Sequence, residues 1–196
     1  MEDKRVTKTK HNIKSTLIGL LQEKPFEKIT VAEICRVGMI SRITFYTHFD
    51  SKYSLLNEMI SDYMKEANVN YHEMQKINNP NSDGHIGYEN LLECILCLFY
   101  DNQDFFSHIG ANENPYLFSE FFNHVFRCVD DYIRRHTSLV PKYPIRQTAA
   151  LISNGLFGVV NACADEDMPD SKVRELARSM YRDLLQSDLF SDNQES

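Results

Sequence analysis

Apolar residues recur along this chain at three- and four-residue intervals, and few runs alternate apolar with polar positions as a half-buried strand would. Ile13, Leu17, Leu20 and Leu21 share one face and predict a first helix over 7–23, closed by Pro25. Thr30-Val31-Ala32-Glu33 has the form of a capping box and opens a short second helix that ends at Val37. After a turn at Gly38-Met39, Ser41 caps a third short helix reaching Thr47. Asp50 or Ser51 then caps a long fourth helix, whose inner face carries Leu55, Leu56, Met59, Ile60, Tyr63 and Met64. The turn formers of 78–84 break the chain, and helical patterning resumes near Gly87. Further helices are predicted over 101–111, 115–137, 145–165 and 170–187, punctuated by prolines, and the polar tail from Ser191 is expected to fray. The reading is all-α, about nine helices in total, with boundaries that give segments 1–50, 51–76, 77–190 and 191–196.

Composition narrows the class. With 42% hydrophobic and 25% charged residues, the 196-residue chain has the makings of an ordinary globular core. No stretch approaches the ~18 uncharged apolar residues of a membrane span, and the polar first 14 residues carry no export signal. Five cysteines without framework spacing fit a reducing compartment, so the expected location is the cytoplasm. The net charge of −7 argues at first against a polyanionic partner, but it is unevenly spread. Residues 1–65 hold 11 Lys+Arg against 8 Asp+Glu, and residues 66–196 hold 10 against 20. Screening over roughly 8–10 Å hides an acidic body from a phosphate held at a basic head. Charge therefore permits nucleic-acid binding.

The informative stretch is 29–56. Two helices of about two turns each are marginal alone and need the first helix to cover their apolar sides, with Ile29, Val31, Ile34, Ile40, Phe45 and Phe49 forming a small core. Ser41, Arg42, Thr44, Tyr46, Thr47 and His48 then fall on or near an exposed side, a set of donors without one acidic residue, as a surface facing phosphate requires. Arg42 can reach a guanine edge or clamp a phosphate, and Thr47 a base edge or thymine methyl; Tyr46, His48 and Lys52 are placed for the backbone.

Ile29-Thr30-Val31-x-x-Ile34, Ile40-Ser41-Arg42-x-Thr44-Phe45-Tyr46-x-His48-Phe49 and the following Lys52-x-x-Leu55-Leu56 resemble the tetracycline-repressor (TetR/AcrR) family of bacterial regulators over about residues 8–65. The resemblance implies a three-helix helix-turn-helix domain whose third helix enters the major groove, a connecting helix, and a helical regulatory and dimerisation domain. The DNA-contacting set it implies is Thr30, Ser41, Arg42, Thr44, Tyr46, Thr47, His48 and Lys52. One departure stands out: relatives usually read Ala-Gly-Val-Ser at the turn, where this chain has Gly38-Met39-Ile40-Ser41. Either Met39 adopts a positive φ at some strain or Gly38 absorbs it.

Beyond the head, the middle of the chain is aromatic and reads either as a close-packed core or as a pocket for a small hydrophobic effector, with Phe99, Phe105, His108, Tyr116, Phe122 and His124 as candidate lining. Cys94 and Cys97 form a CxxC, but inside an apolar helical run and without a second pair or nearby histidine for zinc, so they read as core. No phosphate loop, HExxH or nucleophile elbow occurs, and no enzyme, cofactor or metal is expected. The last two helices carry wide apolar faces with Leu156, Val159, Val160, Val173, Leu176, Met180 and Leu184, which the resemblance assigns to a homodimer interface. The functional expectation is a repressor that binds a palindromic operator in double-stranded DNA as a homodimer and is released by a small-molecule effector. The alternatives are a helical protein-interaction adaptor and a dithiol redox protein built on Cys94 and Cys97.

Overall fold

A computed structural model describes residues 4–108, 114–136, 139–166 and 168–192. Among them are nine α-helices: α1 (Lys4–Leu21), α2 (Val31–Val37), α3 (Arg42–His48), α4 (Lys52–Asn78), α5 (Gly84–Asp101), α6 (Gln103–Phe106), α7 (Pro115–Arg135), α8 (Ile145–Asp165) and α9 (Asp170–Leu185). The predicted all-α class holds. The helix predicted over 101–111 is instead the end of α5 followed by the single turn α6, and its residues beyond His108 lie outside the described ones. Two features lacked any periodic signal: a 3₁₀ turn at Phe26–Lys28, and an antiparallel ribbon of β1 (Leu139–Pro141) with β2 (Phe190–Asp192), in which Val140 faces Ser191. The ribbon corrects the tail, whose first residues pair with backbone rather than fray; residues 193–196 lie outside the described ones.

Contacts divide the chain into two compact units, one of residues 1–65 with 101–121 and the other of 66–100 with 122–196. The division falls within α4 and α7. It places 101–121 with the N-terminal helices, whereas the sequence boundaries put that segment in the C-terminal region.

In the first unit, Ile13, Leu17, Leu20 and Leu21 of α1 are buried with Phe26, Ile29, Ile34, Phe45 and Phe49, as the helical spacing requires. Leu55, Leu56, Met59 and Ile60 of α4 complete this core, and Tyr63 packs on Phe105 and Phe106, both ring pairs 5.1 Å apart. A surface zipper joins α1 to α4, with Lys10 on Glu58 at 3.0 Å and Lys14 on Glu58 at 2.7 Å and Asp62 at 2.6 Å. In the second unit, Tyr88, Leu92 and Leu96 of α5 are buried with Val129 and Tyr132 of α7, Ile152 and Leu156 of α8, and Val173, Ala177 and Tyr181 of α9. Its buried phenols mostly find carbonyls: Tyr132 donates to Gly84 at 3.0 Å and Tyr181 to Ile152 at 2.5 Å. On its surface α9 is tied to α5 by Arg178–Glu93 (2.7 Å) and Arg182–Glu89 (3.1 Å).

Candidate nucleic-acid interface

Each short helix of the head is started by a side chain. Thr30 accepts from the Glu33 amide at 3.2 Å, and Ser41 from the Thr44 amide at 3.0 Å. The Glu33 carboxylate takes a 2.6 Å hydrogen bond from Lys24, which, with smaller help from Arg36 and the Thr30 backbone, holds it below the usual range of a glutamate. Ser51 and Ser54 exchange backbone amide bonds at 3.0 and 3.1 Å, which settles the start of α4 on Ser51.

The turn between α2 and α3 resolves the Gly38-Met39 alternatives. Met39 carries the positive φ, at 50°, while Gly38 is an ordinary −75°. Gly38 serves a different need. A Cβ there would sit 3.0 Å from the Ile34 carbonyl and 3.0 Å from Thr16 Oγ1, and Asn12 of α1 donates to the Gly38 carbonyl at 2.8 Å. The glycine admits α1, and the left-handed residue falls one position later.

On α3, Phe45 is buried and Thr44 and His48 are half-buried, leaving Ser41, Arg42, Ile43, Tyr46 and Thr47 exposed. No acidic side chain belongs to this face. Its hydroxyls are partly engaged: Ser41 Oγ and Thr44 Oγ1 are 2.8 Å apart, and Thr47 donates to the Ile43 carbonyl at 2.8 Å. The donors with no partner of this kind are the Arg42 guanidinium and the Tyr46 hydroxyl, Tyr46 being 54% exposed with its ring edge-on to Phe45.

Lys52 is engaged within the protein. Its ammonium donates to the carbonyls of Phe26 (2.8 Å), Glu27 (3.0 Å) and Ile29 (2.8 Å), and lies 4.6 Å from the Phe26 ring centroid. All three protons are occupied, so in this geometry Lys52 fastens the turn before α2 instead of reaching for phosphate. Burial pushes its pKa down, and Glu27 partly offsets that. The same turn is held from the other side: Asn114 Oδ1 accepts from the Phe26 amide at 2.5 Å, Tyr116 stacks on Phe26 at 5.9 Å, and Tyr53 meets Tyr116 edge-on at 4.8 Å. Neither Asn114 nor the 3₁₀ turn carries a sequence signal that would have revealed this clamp. Exposed cations absent from the sequence-based set include Lys4, Arg5 and Lys8 at the start of α1 and Lys28 before α2; their signal was the basic bias of the first 65 residues.

The expected effector lining is divided between the two units. Phe105, His108 and Tyr116 belong to the first unit, with Phe105 packed on Tyr63 and Phe106 and Tyr116 on Phe26, while Phe99, Phe122 and His124 belong to the second. None lines the cavities described here. One of these, of about 170 Å³, lies in the second unit between α5 and α9, with Tyr88, Leu92, Glu93, Arg178, Tyr181 and Arg182 in its wall. Of the expected interface residues, Leu156, Val160 and Val173 are buried within the chain. Leu176 and Met180 are exposed, and Val159 and Leu184 half-buried. Leu151, which the sequence reading omitted, is 55% exposed. Burial, then Cys97 and Glu93, push the Cys94 thiol up to about 12, which disfavours the thiolate that redox exchange at this residue needs. Among the described residues, no three His, Cys, Asp or Glu are grouped to hold a metal, and no helix is long and apolar enough to cross a membrane.

Comparison with known proteins agrees with the helix-turn-helix. Residues 15–59 match the model of bacterial regulatory proteins of the tetR family. Search of the curated proteins gives no match. Among solved structures, a TetR-family regulator from Syntrophomonas wolfei superposes with a TM-score of 0.74 at 16% identity, over 93% of this chain and 97% of that one. A TetR transcriptional regulator from Streptococcus agalactiae gives 0.62 at 24% identity, over 91% and 96%. The fatty acid degradation regulator FadR of Bacillus halodurans gives 0.65 at 13%, over 96% and 98%. At these identities the structures speak for the fold, and the sequence match speaks for the head. Residues 15–59 thus match the helix-turn-helix domain of the tetR family, and the chain as a whole is similar in fold to TetR-family transcriptional regulators.

Proposed function

We propose that this regulator is a repressor that binds a palindromic operator as a homodimer in the cytoplasm and is released when a small molecule binds the helical body. The observation that carries the DNA reading is the acid-free exposed face of α3, with Arg42 and Tyr46 as its available donors. Arg42 is assigned to a base edge and Tyr46 to phosphate, with Thr30, Ser41, Thr44, Thr47 and His48 fixing register around them. Lys52 acts indirectly, by holding the turn that orients α2. The homodimer is supported by exposed Leu151 on α8 and Leu176 and Met180 on α9, beside Gly158, where an added Cβ would meet nothing within 4 Å. A two-fold pairing of these helices makes the interface isologous and gives each half of a palindrome one head. An effector acts by favouring one spacing of the heads over another, to the extent that its affinity differs between them.

The test is selection of genomic fragments on purified protein, followed by mobility shifts at fixed salt. Arg42→Ala and Tyr46→Phe are expected to weaken the selected duplex tenfold or more (on the order of one lost charge-assisted contact) with unchanged melting temperature and dimer mass. Retention of full affinity by both variants removes α3 from the reading, and a strictly monomeric protein removes the two-fold.

A further inference from the structure

The most exposed large apolar side chains of the head are Met39, 92% exposed, and Ile43, 82% exposed. Scattered surface hydrophobes are ordinary, but these two sit together in the sequence on the recognition surface and each is costly in its own way. Met39 holds a left-handed φ of 50° that a β-carbon disfavours, and presents a thioether side chain to solvent from that position. Ile43, four residues on, occupies the first turn of α3 with its side chain in water, although the core of the head is already filled by Ile34, Phe45 and Phe49. Packing explains neither. Meanwhile the polar side chains that looked like readers are partly committed, since Thr44 Oγ1 contacts Ser41 Oγ and Thr47 donates its proton to the Ile43 carbonyl. The exposed face therefore offers Arg42 and Tyr46 as donors and Met39 and Ile43 as apolar contacts.

That mixture matches the edge of one base in particular. In the major groove thymine shows an acceptor and a 5-methyl group, the only methyl that any of the four standard bases presents there. We propose that Ile43 and Met39 are specificity-determining residues that pack against thymine 5-methyl groups of the operator, alongside the polar contacts of Arg42. The inference rests on the DNA-binding reading above. Burying one methyl is equivalent to a loss of about fourfold in affinity when it is removed.

The experiment uses the duplex recovered by genomic selection, synthesised with thymine or with deoxyuridine, which lacks only the methyl, at one position at a time. Wild-type protein is expected to bind the duplex about fourfold more weakly when deoxyuridine replaces a contacted thymine. Ile43→Ala is expected to bind the thymine duplex several-fold more weakly and to be indifferent to deoxyuridine at one position, and Met39→Ala to be indifferent at another. Ile43→Leu is expected to keep the methyl dependence. Deoxyuridine without effect at every position overturns the inference while leaving DNA binding intact, as does an Ile43→Ala variant that loses affinity equally for both duplexes. Failure to retain any duplex above random DNA overturns the DNA-binding reading itself.

Discussion

The two units satisfy their polar groups to different degrees. In the head, lysines and caps tie down carbonyls and amides: Lys52 takes three carbonyls, Asn114 accepts the Phe26 amide, and Thr30 and Ser41 cap their helices. In the body, two fully buried hydroxyls, Tyr88 Oη and Ser153 Oγ, have no partner, and both residues wall the same small void of about 10 Å³. A buried hydroxyl without a hydrogen bond costs on the order of 1–3 kcal/mol. The head is thus built to hold one geometry, which a reader of base edges needs. The body tolerates imperfect satisfaction beside a cavity, and its packing is less tightly specified there.

The largest expected effect lies in the body, where the backbone is least forgiving. A Cβ on Gly87 would clash with the Tyr132 hydroxyl and approach Gln75 Nε2 to 2.9 Å, and Tyr132 is held by the Gly84 carbonyl. Gly87→Ala should destabilise the protein by about 3 kcal/mol, despite the roughly 1 kcal/mol that alanine gains in a helix. A thermal melt lowered by less than about 3 °C would mean that Tyr132 moves aside easily and that the body is softer than its packing suggests.

Second is the head's central fastening. Lys52→Met keeps the stem over Phe26 but abandons three carbonyls, and should destabilise by about 2 kcal/mol. If Lys52 instead contacts DNA directly, the variant would keep its melting temperature and lose affinity with a salt slope reduced by about one. The two outcomes separate fastening from phosphate binding.

What was legible in the sequence follows the same contrast. Helices α1 to α4 and α7 to α9 were readable because each joins a helical apolar stripe to a cap or a proline, and the exposed face of α3 followed from placing Phe45 and Phe49 inward. The Lys52 fastening, the Asn114 clamp and the β1–β2 ribbon were not, because each joins residues distant in sequence through backbone groups that carry no residue-type signal. The effector lining is a different case. Aromatic residues at helical spacing mark burial without saying beside what, and Tyr116 proved to pack on Phe26 of the head.

Third, and of opposite sign, is Ser153→Ala. Removing a hydroxyl that has no partner should leave stability unchanged or raise it by up to about 1 kcal/mol, where removing a polar group in the head lowers it. A destabilisation above about 1 kcal/mol would show that Ser153 is hydrogen-bonded in solution and would erase the contrast between the units.

The smallest effect concerns acid. Burial raises the pKa values of Glu58 and Asp62, but hydrogen bonds from Lys14, with Lys10 on Glu58 and Lys65 on Asp62, outweigh it and hold both carboxyls below their ordinary values of 4.5 and 3.8. A carboxyl depressed by folding contributes stability that is present above its unfolded pKa and lost as pH falls through the folded one. The α1–α4 zipper should therefore contribute fully at pH 6 and weaken below about pH 4.5, and because its side chains are partly exposed the contribution is at most about 1 kcal/mol. Glu58→Gln should lower the melting temperature at pH 6 by a few degrees and leave it nearly unchanged near pH 3, where the wild-type carboxyl is itself becoming neutral. An equal loss at both values would place the role of Glu58 in packing, and the head would then owe its order to the fastenings around Phe26 alone.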